Sequence, residues 1–471
     1  MRFVILAFLC GLTSLYAQEK LSKKQLEKDL DILKINLQTY HTGLYTYTPR
    51  EELNNWFEAT KQKLTDSMTS YEFFRKLGKL NSIIKNGHTF VHINPAQREK
   101  DLKMPAFSIF KCKNSFYIKE SSLKEYKNLV GKKITSINGD DMAHVFSKLL
   151  QYMTRDGNNM TMPKEQLLHS FSFMYALIYG SKDSTAITIK DELKTIDIKI
   201  PNVTASILES KAEKLYETGK IEFRTKDSIA FLSIPTFNAI PLKRDQYKSK
   251  LKNAFKRIQN KGIEHLVIDI RDNGGGNTPM VEELISYVYN KEFQFYEGIY
   301  QLHNKWNKDI IPEISDYPAM RMGWTYLKKE KNGLYKTTAG DGLNVVKPKK
   351  TVYNGKLYVL LNGNSLSAAG EFASFIKQYR NAIFIGEESG GNKVQNTSGD
   401  WLKIALPNSK LVIAIPYILW KMNVNFKNDG HGIKPNYLIT NTITDELNNY
   451  DRAMDFTINH IRKSTISKKT E

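Results

Sequence analysis

Residues 357–372 read LYVLLNGNSLSAAGEF: an apolar run, a polar turn and a helix-forming segment. Leu357–Leu361 is too short for a buried helix and has the length and branched character of a buried strand. Asn362-Gly363-Asn364 is a turn signal, and Ala368–Tyr379 reads as a helix. Ser367 therefore falls where a strand has turned into a helix start. Backbone N–H groups are unpaired there and the helix dipole favours negative charge. That suits a nucleophile whose attack creates an oxyanion. It equally suits an ordinary N-cap serine, and Ser365 is a second candidate for that cap.

The same alternation extends on both sides. Ile229–Ile234 reads as a strand, Gln246–Gln259 as a helix, Leu266–Ile270 as a buried strand, Met280–Tyr289 as a helix and Ala382–Ile385 as a strand. Such alternation predicts an α/β domain with largely parallel strands. Residues 290–350, rich in Lys, Tyr and Trp, are expected to form an insertion near the site. Upstream, Leu26, Leu30, Leu33 and Leu37 recur at helical spacing, and Ser22 to Ile84 reads as helical up to the Asn86-Gly87 break. His88–Ile93 alternates like a strand. From Met104 the chain turns to short strands, among them Phe116–Ile118, Lys133–Ile137, Ala186–Ile189 and Ile196–Ile200, with a helical insertion over Arg155–Lys182.

Two further segments carry chemistry. After the strand at Leu266–Ile270 comes Arg271-Asp272-Asn273-Gly274-Gly275-Gly276-Asn277. Glycines there let backbone approach a ligand and aim amide hydrogens at it, as half an oxyanion hole. A tight turn or a phosphate cradle are the other readings, although neither GxGxxG nor GxxxxGK[ST] is present. The second segment is Asn86-Gly87-His88-Thr89. An imidazole near its usual pKa of about 6.5 is the side chain best able to take a serine proton near neutral pH, with activity rising through that pKa. A packing role is the alternative for His88.

Taken in order, Asp269-Ile270-Arg271-Asp272-Asn273-Gly274-Gly275-Gly276, then Ser367-Ala368-Ala369-Gly370-Glu371-Phe372, then Ile385-Gly386-Glu387-Glu388-Ser389-Gly390-Gly391, then Asp429-Gly430-His431-Gly432-Ile433-Lys434-Pro435-Asn436 resembles the C-terminal-processing and tricorn-type serine peptidases. Leu129–Gly139 is similar to a PDZ domain. The resemblance implies a crotonase-like α/β peptidase core over 204–462, a helical N-terminal region over 18–98, a PDZ-like β-rich domain over 99–203 and a polar tail over 463–471. It implies Ser367 as nucleophile, with the amides of Gly275 and Ala368 as oxyanion hole. Family members use either a lysine or a histidine as base. The lysine position here matches Asn392, with Lys393 one place later, whereas Gly87-His88-Thr89 resembles the histidine motif. His88 is thus the expected base and Lys393 the alternative, with Asp429 as supporting acid. Gly370 stands where a glutamate is common. The implied function is cleavage of peptide or protein substrates through an acyl-enzyme, with engagement of substrate C-termini. A catalytically inactive peptide-binding scaffold, or a hydrolase of small esters, are the rival readings; no Gly-x-Ser-x-Gly elbow is present.

Composition narrows the partners. The 471 residues carry 69 basic and 49 acidic side chains, a formal charge of +20, without a run of five or six lysines or a zinc-finger or RNA-binding signature. The charge reads as a solvated lysine-rich surface, with no nucleic-acid partner expected. Only Cys10 and Cys112 occur, which excludes a thiolate metal cluster. No metal-ligand spacing is visible, and no metal or organic cofactor is expected. Residues 1–17, with Arg2, the apolar Phe3–Leu12 and Ala17 before Gln18, have the layout of a cleaved export signal, implying a periplasmic or secreted enzyme. No stable membrane span is expected. The oligomeric state is left open.

Overall fold

The computed structural model describes residues 20–93, 102–191, 194–204, 220–240, 243–313, 315 and 326–467. The expected signal at 1–17 lies outside these residues. Among them, no helix is long and apolar enough to cross a membrane.

The chain opens with helices α1 (Lys23–Tyr40), α2 (Arg50–Gln62), α3 (Ser70–Leu77) and α4 (Leu80–Ile84). Capping boxes start α1, through Ser22 and Gln25, and α3, through Thr69 and Glu72. The four leucines of α1 are all buried, as their spacing requires. Strand β1 (Phe90–His92) is shorter than its alternation suggests, because His88 and Thr89 belong to the turn before it. Strands β2 (Phe107–Cys112), β3 (Ser115–Ser121), β4 (Lys133–Ile137), β5 (Ser184–Asp191) and β6 (Lys194–Pro201) form an antiparallel sheet in chain order. Helices α5 (Met142–Leu150) and α6 (Thr161–Tyr179) are inserted between β4 and β5.

The α/β part follows the alternation expected of it: β7 (Glu222–Lys226), β8 (Ile229–Ser233), α7 (Arg244–Asn260), β9 (His265–Asp269), α8 (Thr278–Val288), β10 (Tyr296–Gln301), β11 (Lys356–Leu361), α9 (Ala368–Tyr379) and β12 (Ala382–Gly386). There follow β13 (Gln395–Thr397), β14 (Trp401–Ala405), β15 (Val412–Pro416), β16 (Leu419–Met422), β17 (Tyr437–Leu438) and α10 (Arg452–Ser467). The central sheet has the order β7-β8-β9-β11-β12-β17, parallel except for the β7–β8 pair. Its middle strands are apolar on both faces for a physical reason. Leu266, Ile268 and Val359 pack under α7, α8 and α9, while Val267, Leu360 and Ile385 pack under α10. Within the expected polar tail, Lys463–Ser467 continue α10, whose Ile461 is buried.

One pairing was not visible in sequence. β1 joins β15 and β14 in a three-stranded sheet, with Phe90 opposite Ala414. The N-terminal helices thus share a core with Leu402, Ile404, Ile413 and Ile415 instead of standing as a separate region. Asp29 of α1, fully buried, fixes this junction by accepting from Asn408 N (3.1 Å), Asn408 Nδ2 (2.8 Å) and Ser409 N (2.7 Å). Removing it strands several buried donors. Asp29→Ala is expected to lower stability by about 3 kcal/mol, read as a shift in the urea midpoint, and Asp29→Asn by less. An unchanged midpoint for Asp29→Ala would show that the junction is held by apolar packing alone.

Candidate active site

The ends of β8, β9 and β11 meet at one edge of the central sheet, where ligands bind in open α/β folds. Asn273, fully buried, organises that edge. Its Nδ2 donates to Ile234 O (2.8 Å), its Oδ1 accepts from Gly275 N (2.9 Å) and its carbonyl accepts from Leu366 N (3.0 Å). Ser365 is buried beside it and donates to Ile270 O (2.8 Å), so it is a strut between two loops and not a cap.

Ser367 is the N-cap residue of α9, yet its side chain makes no capping bond. Its backbone sits at φ 55°, ψ −127°, a region that residues other than glycine rarely occupy and that costs on the order of 1–3 kcal/mol. The plain N-cap reading needs extended backbone and a capping hydroxyl, and neither is found. The strain instead turns Oγ out of the helix start, half-buried, with Asn396 Nδ2 at 3.3 Å. Gly275 lies against this turn with φ +98°. A Cβ there would be 2.8 Å from Leu366 O and from Ser367 Cβ, and 2.9 Å from Ala368 N. The glycine is therefore what allows the close approach. Its own N–H, expected in the oxyanion hole, is committed to Asn273 Oδ1. Ala368 is the first residue of α9, so its amide has no acceptor within the helix. Gly370 is also explained: a Cβ would come within 2.9 Å of Gly390 O.

His88 reaches the same region from the other end of the chain. Asp156 Oδ1 accepts from Gly87 N (3.0 Å), and Asn159 Nδ2 donates to Ser389 O (2.7 Å) and Gly391 O (3.2 Å). A Cβ on Gly391 would lie 3.6 Å from Asp156 Oδ2 and 3.5 Å from Leu366 Cδ1, so the His88 turn, Asp156, Gly391 and the residue before Ser367 form one packed chain. Asn86 Oδ1 accepts from His88 N (3.1 Å) and Thr89 Oγ1 (2.7 Å), and Thr89 Oγ1 meets His41 Nε2 at 2.6 Å. Trp401 donates from its indole nitrogen to His88 O (2.9 Å) and lays its ring near the imidazole. His88 Nδ1 is buried without a partner, and no hydrogen bond joins His88 to Ser367 among the described residues. Burial pushes the imidazole down to about 4, well below the value its residue type suggests. It is neutral across the physiological range. Burial likewise pushes Asp156 up to about 6, against the pull of the Gly87 N–H.

The other two expected site residues are brought together with each other. Lys393 Nζ donates to Asp429 Oδ2 (2.7 Å), and Asp429 Oδ1 accepts from His431 N (3.1 Å). Although partial burial opposes it, the Lys393 ammonium holds the Asp429 carboxyl below its usual range. Asp429 is thus not placed as the partner of His88, and the Lys393 ammonium is paired with a carboxylate. Asn392 bonds Tyr47 and Asn428 Oδ1. Sequence reasoning missed Asp156 and Asn396, which stand in the short polar runs 155–159 and 396–400, and gave Glu371 no role. Among the described residues no group of His, Cys, Asp and Glu could hold a metal.

A strained serine thus stands at a strand-to-helix turn, packed against a glycine loop at the edge of a parallel sheet. Residues 228–439, just under half of the chain, match the model of Peptidase family S41, so the α/β part is similar to that family of peptidases. Among solved structures, a mutant of CPAF superposes with TM-score 0.66 at 14% identity, covering 91% of this chain and 95% of that one. Mature CPAF complexed with lactacystin gives 0.66 at 14%, covering 94% and 98%. The tricorn protease gives 0.39 at 14%, covering 94% of this chain and 37% of that one.

The backbone of Ser367 makes its own prediction. Ser367→Gly removes the left-handed strain and is expected to unfold at higher denaturant than Ser367→Ala, by about 1 kcal/mol. Equal midpoints for the two variants would mean that the turn is unstrained in solution.

Proposed function

We propose that this protein is an exported endopeptidase in which Ser367 is the nucleophile and His88 the general base. The observation that carries the reading is the uncapped, left-handed Ser367 pressed against Gly275, with a buried neutral imidazole reaching the same loop cluster through Asp156 and Gly391. His88 takes the Ser367 proton as Oγ adds to the peptide carbonyl. The Ala368 amide faces the developing oxyanion, and the Gly275 loop walls the pocket. The amine leaves with the proton from His88, and water then hydrolyses the acyl-enzyme. With Asp429 engaged by Lys393, the imidazole is oriented by the backbone bonds of Asn86 and Asp156 to its turn and by Trp401, in place of a carboxylate. We read the central sheet as the crotonase-like core, and the β2–β6 sheet as the PDZ-like domain that adds a substrate C-terminus as an extra strand.

Two rivals are met by the same experiment. A Ser–Lys mechanism needs a neutral lysine, and the ion pair with Asp429 disfavours that. An inactive scaffold is favoured only by the missing acid beside His88. The measurement is kcat/KM on one peptide, together with labelling of Ser367 by a fluorophosphonate or by lactacystin, the compound described in complex with CPAF. Ser367→Ala is expected to abolish both readouts. His88→Ala is expected to lose about 10²–10⁴-fold, and Lys393→Ala only a few-fold. Since His88 acts when unprotonated, wild-type activity is expected to fall as pH drops through about 4, and not through about 6.5. A dead Lys393→Ala beside a normal His88→Ala would replace this mechanism, and a wild-type chain that neither turns over nor labels would make it a scaffold.

A further inference from the structure

Behind Ser367 lies a buried polar chain that the mechanism above does not use. Asn396, on β13, is 7% exposed. Its Nδ2 lies 3.3 Å from Ser367 Oγ and 3.0 Å from Glu371 Oε1. Glu371, one turn into α9 and 4% exposed, also accepts from Tyr296 OH at 2.7 Å through Oε2. Tyr296 OH in turn meets Thr278 Oγ1 at 3.2 Å. The strand pairing explains the convergence. Asn396 sits opposite Trp420 and Tyr296 opposite Met422 on the shared strand β16, so two neighbouring strands deliver both side chains onto α9.

We infer that Asn396 is a catalytic residue that donates its Nδ2 hydrogen to the Ser367 oxygen, and that Glu371 and Tyr296 are positioning residues that fix which face of the Asn396 amide Ser367 sees. The inference rests on Ser367 being the nucleophile. The sense of the amide follows from its partners. An ionised carboxylate only accepts, so Asn396 must turn Nδ2 and not Oδ1 toward Glu371. The second hydrogen on the same nitrogen then points to Ser367. Tyr296 occupies the other carboxylate oxygen and keeps Glu371 from turning away. Among the described residues no ion pair reaches the Glu371 carboxylate, and burial raises its pKa. Two hydrogen bonds and the N-terminal end of α9 offset that, and the ionised form alone enforces one amide orientation.

The consequence is chemical. With Asn396 donating to Oγ, the hydroxyl proton of Ser367 is left free for the base. As that proton departs, negative charge grows on an oxygen already facing an N–H donor, and the 3.3 Å contact shortens with it. The bond is strongest while Oγ carries charge, on attack and again when Oγ leaves the acyl-enzyme. It therefore acts on kcat and on the rate of covalent modification, and substrate affinity is left alone.

The test uses the full chain with the variants Asn396→Ala, Asn396→Asp, Glu371→Gln and the double variant Asn396→Ala/Glu371→Gln. For each, kcat, KM and the rate of fluorophosphonate labelling are measured, with circular dichroism to confirm folding. Asn396→Asp keeps the shape and lacks both N–H donors, so it reports even where the alanine variant folds poorly. Asn396→Ala and Asn396→Asp are expected to lose about 10–100-fold in kcat and in labelling rate, with KM within about twofold. Glu371→Gln can accept from only one of its two donors and is expected to lose about 3–30-fold in a wild-type background, but nothing further in the Asn396→Ala background. A folded Asn396→Asp with wild-type kcat, a loss that falls on KM, or a Glu371→Gln effect undiminished in the double variant would overturn the assignment. An active Ser367→Ala would remove the nucleophile itself, whereas a dead Ser367→Ala beside a normal Asn396→Asp would remove only the role of Asn396.

Discussion

Three successive strands of the central sheet end on a single residue. Asn273, itself fully buried, ties Ile234, Gly275 and Leu366 together with one side chain and one carbonyl. The Ser367 turn and the glycine loop inherit their positions from that knot. Leu366 is held there, so the chain must reverse within one residue to begin α9, and Ser367 takes up the left-handed backbone that the reversal demands. Gly275 is held there too, which presses a residue without a side chain against the turn. In a low-dielectric interior such bonds are strong when made and expensive when missing, so the knot is a point at which small changes have large effects.

The second theme is desolvation. His88, His41, Asp156 and Glu371 are all buried, and burial moves each toward its neutral form. Thr89, given that its hydroxyl donates to Asn86, accepts from His41 Nε2, which leaves His41 neutral with its proton on that nitrogen. The two imidazoles on the floor of the site are thus neutral, Glu371 keeps its charge through its two hydrogen bonds, and the Lys393–Asp429 ion pair stands at a rim where Asp429 is exposed. Charges at the rim are screened by solvent and salt, whereas groups on the floor are not.

How much of this could be read from the amino acids follows from the range of each interaction. Strand and helix positions in the α/β part were legible because apolar periodicity is local. Ala368–Tyr379 came out as read, and the neighbouring strands shifted only by a residue or so at their ends. Ser367 and the glycine loop were legible because each lies within one strand-to-turn segment. What escaped depends on distant residues meeting. Nothing local to Asn396 announces Glu371, and nothing near Asp429 shows that Lys393, 36 residues earlier, takes its carboxylate. His88 was singled out in the sequence, but its environment was not legible: burial lowers its pKa, and Trp401, more than 300 residues away in the chain, bonds its carbonyl.

The pairing of β1 with β15 sets a timetable for synthesis. The turn that carries His88 is emitted early, yet the strands and the indole that hold it in place lie at residues 401–416, emitted more than 300 residues later. A nascent chain has the Ser367 loop complete while the His88 turn still lacks these supports. If Ser367 and His88 act together as proposed, a growing chain that has not yet reached Trp401 holds an incomplete site. A fragment ending before Trp401 that hydrolysed peptides would contradict this ordering.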